Sequence, residues 1–172
     1  MRLFLIAFIG PVGSGKTHVA RIVARRIGAV HIRTDDIRVL LRKKGKPYSR
    51  APLIAKQMAQ KAFCSGKSVV LDFDAVRPQR QKELVRFAKQ FGAGTLFIRV
   101  LTPERLILKR LREHRYSRKD LFQSAEEAIR VHYLRRALHR KKKKLQLKPG
   151  FVINNARSLL PQINKVVKKL RK

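Results

Sequence analysis

Seven consecutive apolar residues, Leu3 to Ile9, stand near the start of the chain with no polar position among them. A run that short, apolar on both faces, predicts a strand buried in a parallel sheet. From His18 to Ile27 the pattern changes, with Val19, Ile22, Val23 and Ile27 recurring at helical spacing. Ala29 to Arg33 is strand-like again. A helix is then expected from Asp35 to about Lys43, with Thr34 as its cap and Asp35 and Asp36 in the first turn, where negative charge is favoured. Gly45, Pro47 and Pro52 interrupt the pattern before a helical stretch from Ile54 to Cys64. Ser68 to Phe73 reads as the third strand. Pro78 opens a helix reaching about Phe91, ended by Gly92 and Gly94, and Thr95 to Leu101 is the fourth strand. Thr102-Pro103 starts a helix to about Glu113, and Ser124 starts another to about Lys142. Phe151 to Asn154 is the fifth strand, and a basic helix runs from Ser158 onward, residues 158–172. Strands alternating with helices predict an α/β fold: one domain over residues 1–172, a five-stranded parallel sheet with helices on both faces.

Between the first strand and the first helix lies Gly10-Pro11-Val12-Gly13-Ser14-Gly15-Lys16-Thr17, the pattern G-x-x-x-x-G-K-[ST]. Gly10, Gly13, Ser14 and Gly15 let backbone N–H groups turn inward around phosphate oxygens, and the following helix N-terminus adds its partial positive charge. Lys16 would reach the β and γ phosphates, and the Thr17 hydroxyl would ligate Mg²⁺. The pattern therefore predicts a nucleoside triphosphate site taking ATP with Mg²⁺. Such a site wants a carboxylate at a neighbouring strand end. The apolar run from Ser68 closes on Asp72, which is expected to hold the metal; Asp74, two residues on, is assigned no role. Phosphoryl transfer also wants a base for the attacking hydroxyl. Asp35 and Arg38 follow the second strand three residues apart on one helical face, so both could meet one acceptor, Asp35 taking its proton and Arg38 an anionic group.

Charge changes the picture next. The 172 residues carry 43 Lys plus Arg against 10 Asp plus Glu, a formal net charge of +33. A surface like that attracts polyanions, so nucleic acid is the first partner to consider. The run from Arg135 to Lys148 and the C-terminal lysines contain no interleaved aromatics, which points to phosphate contact rather than base stacking. One cysteine, Cys64, suits a reducing compartment, and no apolar stretch approaches the roughly 18 residues of a membrane helix, so the expected location is the cytoplasm with no membrane partner. The five histidines show no metal-ligand spacing. Nothing in the sequence fixes an oligomeric state.

The phosphate loop, the Thr34-Asp35-Asp36-Ile37-Arg38 segment, the Val69-Val70-Leu71-Asp72 strand and the arginine-rich stretch after Glu113 together resemble the P-loop kinases related to bacteriophage polynucleotide kinase. Zeta-toxin, chloramphenicol phosphotransferase and gluconate kinase enzymes belong to the same wider group. The resemblance covers nearly the whole chain. It implies Asp35 as general base, Arg38 on the acceptor side, and a short lid over about residues 114–122. Lid arginines would bridge the donor phosphates, with Arg110 and Arg115 the positions indicated. It also points to the loop after the last strand for the nucleotide base, with the Asn155 amide a reader of adenine edges. The expected activity is transfer of the γ-phosphate of ATP to a hydroxyl, first a nucleic-acid 5′-hydroxyl. The alternatives are a nucleoside, sugar or antibiotic kinase, and a nucleic-acid-associated ATPase without a phosphoryl acceptor.

Overall fold

The apolar run forms β1 (Phe4–Ile9), and Leu5 to Ile9 are fully buried. In the computed structural model, which describes residues 2–142 and 147–171, β1 sits at the centre of a five-stranded sheet. Around it lie β2 (Val30–Arg33), β3 (Val69–Asp74), β4 (Gly94–Leu101) and β5 (Phe151–Asn154), in the order β2-β3-β1-β4-β5, every neighbouring pair parallel. Alternate side chains of a strand point to opposite faces, so β1 feeds two cores. Leu5, Ala7 and Ile9 pack under α2 (Thr34–Lys43), α3 (Ala51–Cys64) and α4 (Pro78–Lys89). Ile6 and Phe8 pack under α1 (Lys16–Ile27) and α7 (Leu159–Leu170). A third, small cluster joins α5 (Glu104–Glu113) to α6 (Ala125–Lys142) through Ile107, Leu111 and Ala128, with Val12, Tyr116 and Phe122 against it. The expected architecture is found.

Several boundaries move. Thr34 is the first residue of α2 and not its cap, because its hydroxyl donates to the Asp72 carbonyl (3.3 Å) and ties the helix start to the end of β3. Pro52 lies in the first turn of α3, after a single 3₁₀ turn at Tyr48–Arg50, where a missing N–H costs nothing. Gly92 ends the α4 region at φ +64°, but Gly94 opens β4, where a Cβ would come within 2.9 Å of the Phe4 ring. Residues 143–146 of the basic run and Lys172 of the terminal helix lie outside the described residues.

One irregularity positions the site. β1 pairs with β3 at Ala7↔Leu71, and the next pair is Phe8↔Asp74. Two residues of β3 are thus skipped, which rotates its end. On the other side of β3 the register with β2 stays regular as far as Arg33↔Asp72. The chain beyond is pinned by Gln81, fully buried, whose amide donates to the Ala75 carbonyl and accepts from the Leu147 N–H, both at 2.7 Å.

Candidate active site

The loop between β1 and α1 is held open by its glycines and its neighbours. Gly13 and Gly15 adopt φ of +79° and +84°, values that glycine takes without strain. Space is short as well. A Cβ on Gly13 would lie 2.8 Å from Ile107 Cγ2, and one on Gly15 only 2.0 Å from Asn155 Nδ2. The Ser14 carbonyl accepts from Thr102 Oγ1 (2.8 Å) at the end of β4 and from Asn155 Nδ2 (2.7 Å) after β5. Its buried Oγ has no partner among the described residues. No side chain caps α1 and no acid lies in its first turn, so the N–H groups there remain available to an anion. Lys16 Nζ donates to the Gly10 and Pro11 carbonyls, the latter at 2.8 Å. Donors, cation and cradle fit a polyphosphate.

At the strand ends the skipped register separates the two carboxylates. Asp72 is buried and faces β2, with His31 Nε2 at 3.6 Å and Arg33 Nε at 3.7 Å from its Oδ2. Asp74 faces the loop instead: Gly10 N–H donates to its Oδ1 (3.2 Å) and His139 Nε2 donates to its Oδ2 (2.8 Å). Burial pushes the Asp74 carboxyl up, but the His139 bond, the Lys16 charge and the Gly10 N–H outweigh it and hold it below the ordinary carboxylate value. Asp74 is therefore a residue that sequence reasoning set aside and the fold brings to the loop. Its signal was present in the scarcity of acids; His139 had none, being one residue of a basic helix. His132, also from α6, is buried and donates through Nδ1 to the Val12 carbonyl at 3.0 Å.

On α2, Arg38 donates to Asp35 Oδ1 at 2.6 Å, so the pair expected to meet one substrate meets each other. Arg42, one turn further along α2, reaches the lid. Its guanidinium donates to the carbonyls of Leu121 (3.0 Å), Arg118 (3.0 Å) and Asp120 (2.9 Å). Within the lid, Asp120 accepts from the Ser117 N–H and hydroxyl, both at 2.8 Å, and from His114 at 3.1 Å. Partial burial raises its pKa, but those bonds outweigh the effect and leave it lowered. Of the lid arginines, Arg110 stands against Gly15, its Nη1 3.4 Å from where a Cβ would be. Arg115 is exposed and does not line the cleft. One N–H of the Asn155 amide donates to the Ser14 carbonyl, which ties the loop after β5 to the phosphate loop.

Loop and acceptor helix share one cleft of about 1540 Å³, lined among others by Lys16, Thr17, Asp35, Arg38, Asp74 and Arg110. Among the described residues no group of three His, Cys, Asp or Glu could cage a metal. Mg²⁺ asks for less, since it binds through one or two protein ligands and completes its shell with water and phosphate oxygens. The Thr17 hydroxyl and the strand-end carboxylates suit that ion.

Two outcomes follow from this geometry. Gly13→Ala should lose nucleotide affinity and melt roughly 2–8 °C lower, from the left-handed φ and the Ile107 overlap; calorimetry and a thermal melt check it. Arg42→Ala removes three hydrogen bonds from a charged donor, so amides 118–122 should exchange about tenfold faster or more by mass spectrometry.

Comparison with known proteins agrees with the fold. No curated protein sequence matches the chain. Solved structures alike over nearly its whole length include the APS kinase of Mycobacterium tuberculosis in complex with AMPPNP and APS. It is 16% identical, with 99% of each chain covered and a TM-score of 0.66. A gluconokinase from Sinorhizobium meliloti is 15% identical, covering 99% of this chain and 91% of its own, TM-score 0.56. Shikimate kinase from Aquifex aeolicus is 13% identical, covering 97% and 96%, TM-score 0.55. Among family models, one described as an AAA domain matches residues 5–138, a span that contains the phosphate loop, both strand-end acids and the lid. The chain belongs to that AAA domain family.

Proposed function

We propose that this protein is a kinase that transfers the γ-phosphate of ATP to a hydroxyl of a small molecule seated between α2, α3 and the lid. One observation carries the reading: the phosphate loop and the Asp35–Arg38 pair line the same cleft. The acceptor oxygen attacks the γ-phosphorus, the bond from that phosphorus to the β,γ-bridging oxygen breaks, and ADP leaves. The hydroxyl proton passes to the Asp35 carboxylate and from there to water. Arg38 holds that carboxylate in place through its 2.6 Å bond. Lys16 and Arg110 neutralise charge on the phosphates, as such a transfer requires. Thr17 and Asp72 or Asp74 would hold Mg²⁺, which when bound would supply positive charge to the phosphates.

The acceptor side supports a small molecule over a nucleic-acid 5′-hydroxyl. It is concave, with Pro52, Leu53, Phe73 and Phe87 forming an apolar wall. Arg77 and Arg86 at its rim have no carboxylate partner among the described residues, which suits an acceptor bearing an acid group. The structures similar in fold are named as kinases of small molecules, so the nucleic-acid end first expected gives way to its small-molecule alternative.

The test follows labelled γ-phosphate from ATP and Mg²⁺ into sugar acids, their neutral parent sugars, nucleosides, aminoglycosides and 5′-hydroxyl oligonucleotides, with a water-only arm. Label should appear on a small molecule, and Asp35→Asn should lower kcat by about 10²–10⁴ while ATP affinity holds. Label confined to oligonucleotide ends would restore the nucleic-acid acceptor. Free phosphate in every arm would leave an ATPase.

A further inference from the structure

None of the ten acids lies in residues 1–34 or 128–172. Those two spans supply both helices on one side of the sheet, α1 and α7, so that side is covered without a carboxylate. The apolar stripes of the pair, Val19 and Val23 on α1 with Ile163 and Val166 on α7, are buried against β1 and β4. Outward stand Arg21, Arg25, Arg26, Lys165, Lys168 and Lys169, all exposed. Arg26 donates to Asn164 Oδ1 (2.9 Å) and Arg171 donates to the Arg26 carbonyl (3.2 Å), which fixes the two helices against each other.

Other elements carry acids that pair with some of their cations: Arg38 with Asp35, Arg33 with Asp36, Arg80 with Glu83, Arg136 with Glu104. None of the six outward cations on α1 and α7 has a carboxylate partner among the described residues. Arg21 and Arg25 are one turn apart, as are Lys165 and Lys169, and each such like-charged pair costs about 0.2–0.5 kcal/mol. The face keeps a standing repulsion that an external polyanion would relieve.

We propose that the outer face of α1 and α7 docks double-stranded nucleic acid through its phosphates, independently of the cleft at the strand ends. Its chemistry selects this partner. Along α1 and α7 no aromatic side chain is interleaved among the six cations, and the Phe151 ring 5.3 Å from Lys169 Nζ belongs to β5 and is half-buried, so single-strand stacking has no exposed platform. Leu160 and Pro161, both at the start of α7, are the exposed apolar residues on the two helices, too little to enter a lipid surface. What remains is a rigid two-helix surface of charge, suited to a regular backbone.

The test measures affinity for a fluorescent DNA duplex by anisotropy between about 50 and 200 mM salt. The triple Arg25→Glu, Lys165→Glu, Lys168→Glu is compared with a control of equal charge change, Lys61→Glu, Lys67→Glu, Lys82→Glu, all exposed and outside the cleft. The first triple should lower the slope of log affinity against log salt by about 2.7, three phosphates at 0.9 each, and the control by less than about one. The glutamine version of the first triple should show the same ordering. Both triples should retain wild-type ATP binding, which reports folding. Equal losses from the two triples would overturn the assignment in favour of diffuse charge. Tighter binding to phosphatidylserine vesicles or to a single strand of equal length would overturn it in favour of another partner.

Discussion

A single peptide carbonyl organises the catalytic edge. Ser14 O receives one hydrogen bond from the hydroxyl ending β4 and one from the amide following β5, so three separate segments converge on the middle of the phosphate loop. Loops that bind phosphate must hold their N–H groups inward before the ligand arrives, because a backbone that orders on binding spends affinity on its own entropy. Here Thr102 and Asn155 hold the loop from behind, while Ile107 and Leu111 close on Gly13 from α5. The helix that leads into residues 114–122 is thus packed on the phosphate loop. Arg42 then carries the connection from the lid to α2, which bears Asp35 and Arg38. The phosphate loop, residues 118–121 and α2 are linked by contacts rather than by proximity alone.

The skipped register at the end of β3 is the second organising feature. Had β3 continued in step with β1, Asp72 would follow its neighbours across from Phe8. Instead Asp74 takes that place and accepts the Gly10 N–H, while Asp72 turns to β2. Two carboxylates two residues apart thus serve different neighbours, one the loop and one the second strand. Asp74 in turn fixes the far end of α6 through His139, and His132 fixes its middle through Val12.

How much of this the sequence disclosed depended on the range of the interaction. The strand-loop-helix at the N-terminus was legible because apolar period and the glycine-lysine pattern are local. The five parallel strands followed from their alternation with helices. Thr34 was misread as a cap because its hydroxyl has a better partner 38 residues away, the Asp72 carbonyl. Asp74, His139 and Arg42 were missed for the same reason: a register break, a helix end and three lid carbonyls are tertiary facts with no local period. Of the two arginines indicated together, Arg110 lines the cleft beside Gly15, whereas Arg115 stands exposed and outside the cleft lining. The overall charge pointed to a nucleic-acid acceptor because it speaks of the whole surface, whereas the cleft has its own apolar wall and its own acids, on which the small-molecule proposal rests. Seen in three dimensions, the acids gather at the catalytic edge and lid, and the face of α1 and α7 has none.

The central claim is that loop, lid and acceptor helix form one nucleotide-dependent site. Amide hydrogen exchange of the protein with and without a non-hydrolysable ATP analogue and Mg²⁺ tests it most directly. The account predicts slowed exchange at residues 13–17 and, through Arg110 and the Arg42 contacts, across 110–122. Protection confined to α1 and α7 away from the loop, or none at all at saturating analogue, would contradict it.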